Sequence, residues 1–537
     1  MQLTDKVWEN AEKLEKMGYY VPKFDRKAVA EQTKQEPEWI HFGAGNIFRA
    51  FPAMLMQKLI ENGKSKTGII VAEGYDYEII DAYRKHDGLS VLATLKADGN
   101  VDKTITASIV ESLKADPKCA EEFERLKEIF RAKSLKLVSF TITEKGYCLT
   151  KADGSYTDAV KQDFMNGPES PISYIGIVTS LCYERFLAGK LPLALVSMDN
   201  CSHNGSKLKD AVSAYAKKWE ENHVCEEGFL AYIKDENTIT FPWTMIDKIT
   251  PRPDDSVGRM LADDGWEGFD GIQTGKHTYI APFVNAEETE YLVVEDAFPN
   301  GRPELEDAGV IFTDRKTVDQ TEKMKVGTCL NPLHTSLAVF GCLLSYDKIY
   351  QEMQDEELKE LVNRVGYEEG LPVVINPGIL DPKAFLEEVL TKRIPNPFMP
   401  DTPVRIATDT SQKIPVRFGE TIKAYGEDAG KLTCIPLVIA GWLRYLLGIN
   451  DDLEAMEISP DPLYPYLKES LKDAAVGKGM KVHDILYPLL TNEKIFVTDL
   501  YKTGLGAKIE GFFTEMTAGK GAVRSTLKKY VHADGTK

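Results

Sequence analysis

The sequence has no stretch of about 18 uncharged apolar residues, so no membrane-spanning helix is expected. Cysteine is scarce: eight residues in 537, thinly spread and without a CxxC pair. That spacing fits neither a disulfide framework nor a zinc knuckle, and no metal site is expected. Positive charge is in deficit, with a formal net charge of -18. Phosphate-driven binding of nucleic acid and docking on anionic membranes both need a basic surface, so neither partner is expected. Repeats and low-complexity tracts are missing. Met1 to Lys16 is charged and lacks an apolar run, unlike a secretory signal. A reducing cytoplasm is the expected compartment.

What remains is ordinary for a globular chain, 43% hydrophobic and 28% charged. Its length exceeds one hydrophobic core, so two or more domains are expected. Residues 1–35 read as a polar, helix-prone extension. From 36 to 285 short apolar runs alternate with charged helical stretches. The runs are Trp39–Phe42, Gly68–Ala72 ending at Glu73, Leu135–Phe140 and Leu193–Val196; Ala120–Lys133 is one of the helices. That alternation predicts an α/β domain with a parallel sheet. From 286 to 537 strand signals thin out. Ser336–Leu344, Leu358–Val365, Pro382–Lys392 and Ile435–Leu447 read as helices, which predicts a mostly α-helical second domain.

Gly43-Ala44-Gly45-Asn46-Ile47-Phe48-Arg49 stands where a dinucleotide-binding turn belongs, between a strand and a helix. The first glycine permits a tight turn, and the second lets the backbone approach a pyrophosphate at the helix N-terminus. Phe48 replaces the usual third glycine. Glu73 closes the next strand, where a carboxylate accepts hydrogen bonds from ribose hydroxyls and repels a 2′-phosphate, favouring NAD over NADP. Arg49 is positioned in sequence to meet a phosphate; the same residue also reads as a surface arginine.

Lys325-Val-Gly-Thr-Cys-Leu-Asn331-Pro-Leu-His334 combines a lysine, an amide and an imidazole. Asn331 and His334 are three apart on one helix face, and Pro332 makes Asn331 the expected N-cap, with Lys325 in a preceding turn. A lysine exchanges the proton in a carbonyl reduction, and an amide donates to the developing alkoxide. Without further context the pattern reads first as a capped core helix with an ordinary histidine. A second polar cluster, Ser197 to Gly205, follows a strand at the edge where open α/β sheets bind ligands, and Asn200 is its candidate donor.

At these residues the chain resembles the polyol-specific long-chain dehydrogenase/reductase (mannitol dehydrogenase) family. The matching motifs occur in one order along most of the sequence: His41-Phe42-Gly43-Ala44-Gly45 with Arg49-Ala50, Thr141 to Tyr147, and Asp199-Asn200 with His203-Asn204-Gly205. Phe241-Pro242 with Met245 to Pro251 follows, then Val294-Glu295-Asp296 with Phe298-Pro299 and Gly301-Arg302-Pro303. The Lys325 segment and Asp409 to Pro415 complete the series. The resemblance implies a Rossmann-type N-terminal domain, a helical C-terminal domain, an active site between them, and metal-independent hydride transfer with NAD. It implies Lys325 as general acid/base, Asn200 and Asn331 as the oxyanion-binding pair, and His334 as a substrate ligand. Glu322 matches a glutamate linked to proton movement, and Arg405 a substrate-contacting arginine. The lysine-to-asparagine spacing is one residue longer than the family pattern, which leaves Lys323 as an alternative, and a proline after the asparagine is unusual.

Among the family's activities a sugar acid is favoured, D-fructuronate and D-mannonate, because Arg393, Arg405 and Lys413 supply positive charge for a terminal carboxylate. Those three can instead pair with Asp401 or Asp409. Mannitol/fructose interconversion and tagaturonate reduction are the alternatives, and an inactive NAD-binding sensor or scaffold is the reading from another class. A monomer or small homo-oligomer is expected.

Overall fold

The computed structural model describes residues 1–532. It divides into two compact units, the first of residues 1–96 and 100–319, the second of 97–99 and 320 onward.

The first unit is built on a six-stranded sheet of β1 (Trp39–Phe42), β2 (Ile69–Glu73), β3 (Ile109–Lys114), β4 (Leu137–Phe140), β5 (Leu193–Ser197) and β6 (Ile239–Thr240). The spatial order is β3-β2-β1-β4-β5-β6, and every pairing is parallel. In β1, β2, β4 and β5 each residue is buried, as strands covered on both faces must be. The helix Ala120–Arg131 explains how that cover is built. It buries Phe123, Leu126, Ile129 and Phe130 along one stripe and leaves its glutamates outside. The strand order reverses between β1 and β4, which opens a crevice at the carboxyl ends of these strands.

Three smaller sheets accompany the six-stranded one among the described residues, one of them the two-stranded pair Ile272–Gln273 and Tyr279–Ile280. Tyr19–Tyr20, Val101–Thr106, Ser90–Leu95 and Phe283–Glu287 form another, and Thr244–Asp247, Tyr291–Glu295 and Ile311–Thr313 the third. The expected extension of residues 1–35 therefore contributes a strand of its own. The expected boundary at 285 falls inside the strand Phe283–Glu287, and the unit continues to residue 319 because two further strands extend the pairing begun at Thr244–Asp247. The edge strand β3 was not anticipated. It is only partly covered, and Glu111 and Lys114 interrupt its apolar pattern.

The second unit is helical, as expected. Cys434–Tyr445 is buried at every position and packs against Asn331–Leu343 and Gly506–Met516. Four π-turns among the described residues, Lys325–Cys329, Arg364–Gly370, Val389–Arg393 and Pro415–Gly419, interrupt its helices. One helical run among the described residues, Arg315–Leu343, is long and apolar enough to cross a membrane by composition alone. Its apolar window is 78% buried within the protein, the pattern of a core helix.

Candidate functional site

Between β1 and the helix α1 (Asn46–Ala50) the chain turns at Gly43, whose φ is 108°. Its N–H donates to the Ala72 carbonyl of β2 at 2.9 Å, and a Cβ there would collide with the Thr141 carbonyl. Gly43 is thus required by both conformation and packing. Gly45 differs. It precedes α1 with φ -77°, and a Cβ on it would meet no atom within 4 Å. Nothing inside the fold needs that position bare, so its value lies in the space it leaves. Phe48, in place of a third glycine, stacks on His41 with ring centroids 4.4 Å apart. His41 is fully buried, contacts Ser139 Oγ and Thr141 Oγ1 at 2.7 and 2.8 Å, and burial pushes it down to about 3. It is a neutral strut beneath the turn. A polar residue inside the otherwise apolar β1 was the signal that could have flagged it.

Glu73 is buried and ties the turn to β2. One oxygen accepts from the Ala44 N–H at 2.8 Å, the other from Tyr75 and Asp76 N–H at 2.8 and 3.3 Å. Desolvation raises its pKa, against the three backbone donors that lower it. A carboxylate has about four acceptor sites, so roughly one remains for a ligand hydroxyl. Gly43, Gly45, Glu73, Tyr75 and Thr141 line a cleft of about 590 Å³. Asn46 stands at the start of α1, where its Oδ1 accepts from Arg49 at 2.8 Å. Arg49 does not line this cleft. Its guanidinium is buried and also donates to the Ala281 carbonyl at 2.7 Å, so the phosphate contact expected of it is replaced by structural ones.

A second cavity of about 300 Å³ is lined by Ile47, Thr143, Asp199, Asn200 and Lys248. Thr143 lines both spaces and has φ 64°, a conformation that needs outside support. Asp199 supplies it, accepting from the Ile142 and Thr143 N–H groups at 3.0 and 2.8 Å and from the Tyr147 hydroxyl. Burial pushes the Asp199 carboxyl up, and these donors partly offset the push. The Asn204 side chain then clamps the Asp199 carbonyl to Thr244, at 3.0 and 3.1 Å, which fixes the backbone on either side of Asn200. Sequence reading had singled out Asn200 and not these supports.

The helix α2 (Arg315–Met324) runs into the π-turn that begins at Lys325 in the second unit, closed by the Leu330 N–H donating to the Lys325 carbonyl at 3.0 Å. The expected break before Asn331 is this widened turn, and the cap position is Leu330, one residue earlier than expected. Asn331 is the first residue of α3 (Asn331–Leu343), with Pro332 and, half-buried, His334 behind it. Lys325 is 2% exposed, whereas Lys323 is exposed. Glu322 lies three residues before Lys325, on the same helix flank. A π-turn holds one residue more than an α-turn, which lengthens the path from Lys325 to Asn331 by one residue.

Arg393 is buried within the π-turn Val389–Arg393. Arg405 is 63% exposed and paired with Asp401, the alternative its sequence context had offered. Lys413 is spent on backbone: Nζ donates to the Ile406 carbonyl at 3.1 Å and to that of Thr408. Burial and the neighbouring Arg417 lower its pKa. Arg417 was not anticipated. It donates to the Thr335 hydroxyl beside His334, and burial pushes it down to about 10. No group of three or more His, Cys, Asp or Glu placed to hold a metal ion occurs among the described residues.

Residues 37–307 match the mannitol dehydrogenase Rossmann domain, and residues 317–512 the mannitol dehydrogenase C-terminal domain. A D-mannonate oxidoreductase of Thermotoga maritima is 50% identical over 538 residues, covering 99% of each chain. Among solved structures, a D-sorbitol dehydrogenase in substrate-free form is 26% identical with a TM-score of 0.74, over 93% of this chain and 99% of that one. The Pseudomonas fluorescens mannitol 2-dehydrogenase, in ternary complex with NAD and D-mannitol, shares the fold with a TM-score of 0.69 at 24% identity, over 100% of both chains. Two family domains in sequence order and a full-length relative at half identity settle the kinship: the chain belongs to the mannitol dehydrogenase family.

Proposed function

We propose that this protein is a NAD-dependent oxidoreductase that interconverts D-mannonate and D-fructuronate. The observation that carries the substrate is the half identity, end to end, with a D-mannonate oxidoreductase. The cofactor reading draws on the glycine turn, where the bare Gly45 leaves room on the wall of the cleft and Gly43 and Glu73 shape it. Bound there, NAD supplies the hydride acceptor. Gly45 and the first N–H groups of α1 would hold its diphosphate. Glu73, with about one acceptor site left, takes a ribose hydroxyl and leaves no room for a 2′-phosphate charge, which favours NAD over NADP.

In oxidation Lys325 removes the hydroxyl proton as the hydride leaves the same carbon, and in reduction it returns that proton. Asn200 and Asn331 donate to the alkoxide oxygen, and His334 orients a neighbouring hydroxyl. Glu322 relays the proton from Lys325. Arg393, buried in its π-turn, is one of the basic residues offered for the substrate carboxylate. Arg405 and Lys413 join it only by giving up the partners described above.

The test is NADH formation measured with D-mannonate and D-mannitol, each with NAD and NADP. Turnover with mannonate and NAD at least tenfold above the other combinations supports the reading. Equal rates on mannitol would remove the sugar acid, and binding of NAD without turnover on either would leave a nucleotide-binding protein.

A further inference from the structure

Among the described residues Arg49, Arg185 and Arg444 are buried without an ion pair, and the last two show what a purely structural arginine looks like here. Arg185 uses Nε and both terminal nitrogens on the carbonyls of Phe130, Ala132, Leu135, Leu191 and Pro192. Arg444 does the same with Met516, Ile449 and Asn450. Each is a charge dispersed over a full set of backbone dipoles. Arg49, 3% exposed, is not so served. It has one carbonyl, Ala281, and the amide oxygen of Asn46; its Nε has no hydrogen-bond partner among the described residues, and no carboxylate pairs with it. Its remaining electrostatic support is Tyr83, through the ring face 5.3 Å away and through the hydroxyl. A buried cation left this incomplete costs stability unless an anion completes it.

Arg49 opens onto a cavity of about 110 Å³, distinct from the glycine-turn cleft, whose wall also includes Tyr83, Lys85, His86, Asp270 and Ile272. Such a volume holds several waters, enough for an ion with several oxygens. The exposed Lys85 adds a second cation at the mouth, and together with Arg49 it outweighs the single carboxylate of Asp270.

We propose that this cavity is a binding site for a small oxyanion of the phosphate class, held by Arg49 at its floor and Lys85 at its mouth. The site stands apart from the cofactor assignment. It meets the glycine turn through Arg49, which donates to Asn46 Oδ1 at 2.8 Å, and through Tyr83, whose hydroxyl donates to the Ala44 carbonyl at 2.6 Å. Occupancy therefore stiffens the turn from behind.

The experiment follows the melting temperature of the full chain in a zwitterionic buffer while inorganic phosphate replaces chloride at constant ionic strength. The expected result is a saturable rise of roughly 2 °C, retained in saturating NAD. Lys85→Glu, on the surface, shifts the midpoint at least threefold to higher phosphate. Lys133→Glu, an exposed lysine remote from the cavity lining, leaves it unchanged. Arg49→Gln abolishes the response, and if that variant does not fold, Lys85→Glu decides. A linear response, or a midpoint unmoved by Lys85→Glu, would overturn the proposal. So would a response erased by NAD, which would place the phosphate in the dinucleotide cleft instead.

Discussion

The glycine-turn region and the Lys325 region carry comparable numbers of candidate residues on opposite kinds of backbone. Around Gly43 the backbone is regular. Parallel strands end at one edge, and Gly43, Glu73 and Asp199 are fixed by ladder geometry and by hydrogen bonds to main-chain N–H groups. Around Lys325 the helices are interrupted by π-turns, and all four of these turns hold a basic side chain: Lys325, Arg364, Arg393 and Arg417. A sheet edge positions ligands through backbone groups that tolerate many side chains. A widened helical turn positions individual side chains, so substitutions there remove chemistry and leave the frame.

That contrast breaks if Lys325→Ala behaves like a frame mutation. It should lower turnover by about 10²- to 10⁴-fold with NAD affinity and melting temperature nearly unchanged, while Lys323→Ala has little effect. Comparable losses in both lysine variants would contradict the assignment. At the sheet edge the order of effects reverses. Gly43→Ala should destabilise the fold by about 2–4 kcal/mol, since it meets both a positive φ and the Thr141 carbonyl, as read by thermal unfolding. Gly45→Ala should cost less than about 1 kcal/mol in stability yet weaken NAD binding tenfold or more in a fluorescence titration. Full NAD affinity in this variant would take Gly45 out of the cofactor site.

The smallest effect concerns Glu352 in the second unit, which is fully buried, with neither oxygen hydrogen-bonded among the described residues, and whose pKa burial holds well above the usual 4.5. Above that pH the unfolded chain releases a proton that the folded chain keeps, so stability falls as pH rises toward the folded value. Glu352→Gln should match the parent near pH 4.5 and exceed it increasingly at higher pH. A difference independent of pH would show that the carboxyl does not stay protonated.

Much of the first unit was legible because its central strands are uninterrupted apolar runs ending at a glycine or a carboxylate, as at Phe42-Gly43 and Ala72-Glu73. Hydrophobic periodicity also located the core helices of the second. It could not find β3, whose partial cover mixes charge into the strand, nor the continuation of the first unit beyond 285, which depends on pairing with a strand more than 40 residues earlier in the chain. Among site residues, Asn200 and Lys325 stood out by type and place. Asp199, His41 and Arg417 did not, because their roles lie in long-range bonds that no local spacing records. Arg49 misled for the same reason, since its sequence neighbours form the glycine turn and its spatial neighbour is Ala281.

The bulge after Met324 has a rotational consequence. Each residue added to an α-helix swings everything beyond it by about 100° around the axis, which would carry Asn331 and His334 off their flank. A five-residue hydrogen-bonded loop absorbs the surplus, so the segments before and after it keep their original phase. Excising Gly327 should then yield a folded protein whose helix is merely shortened, whereas excising Ser336, in regular helix, should wind the upstream flank away from its neighbours and unfold the unit.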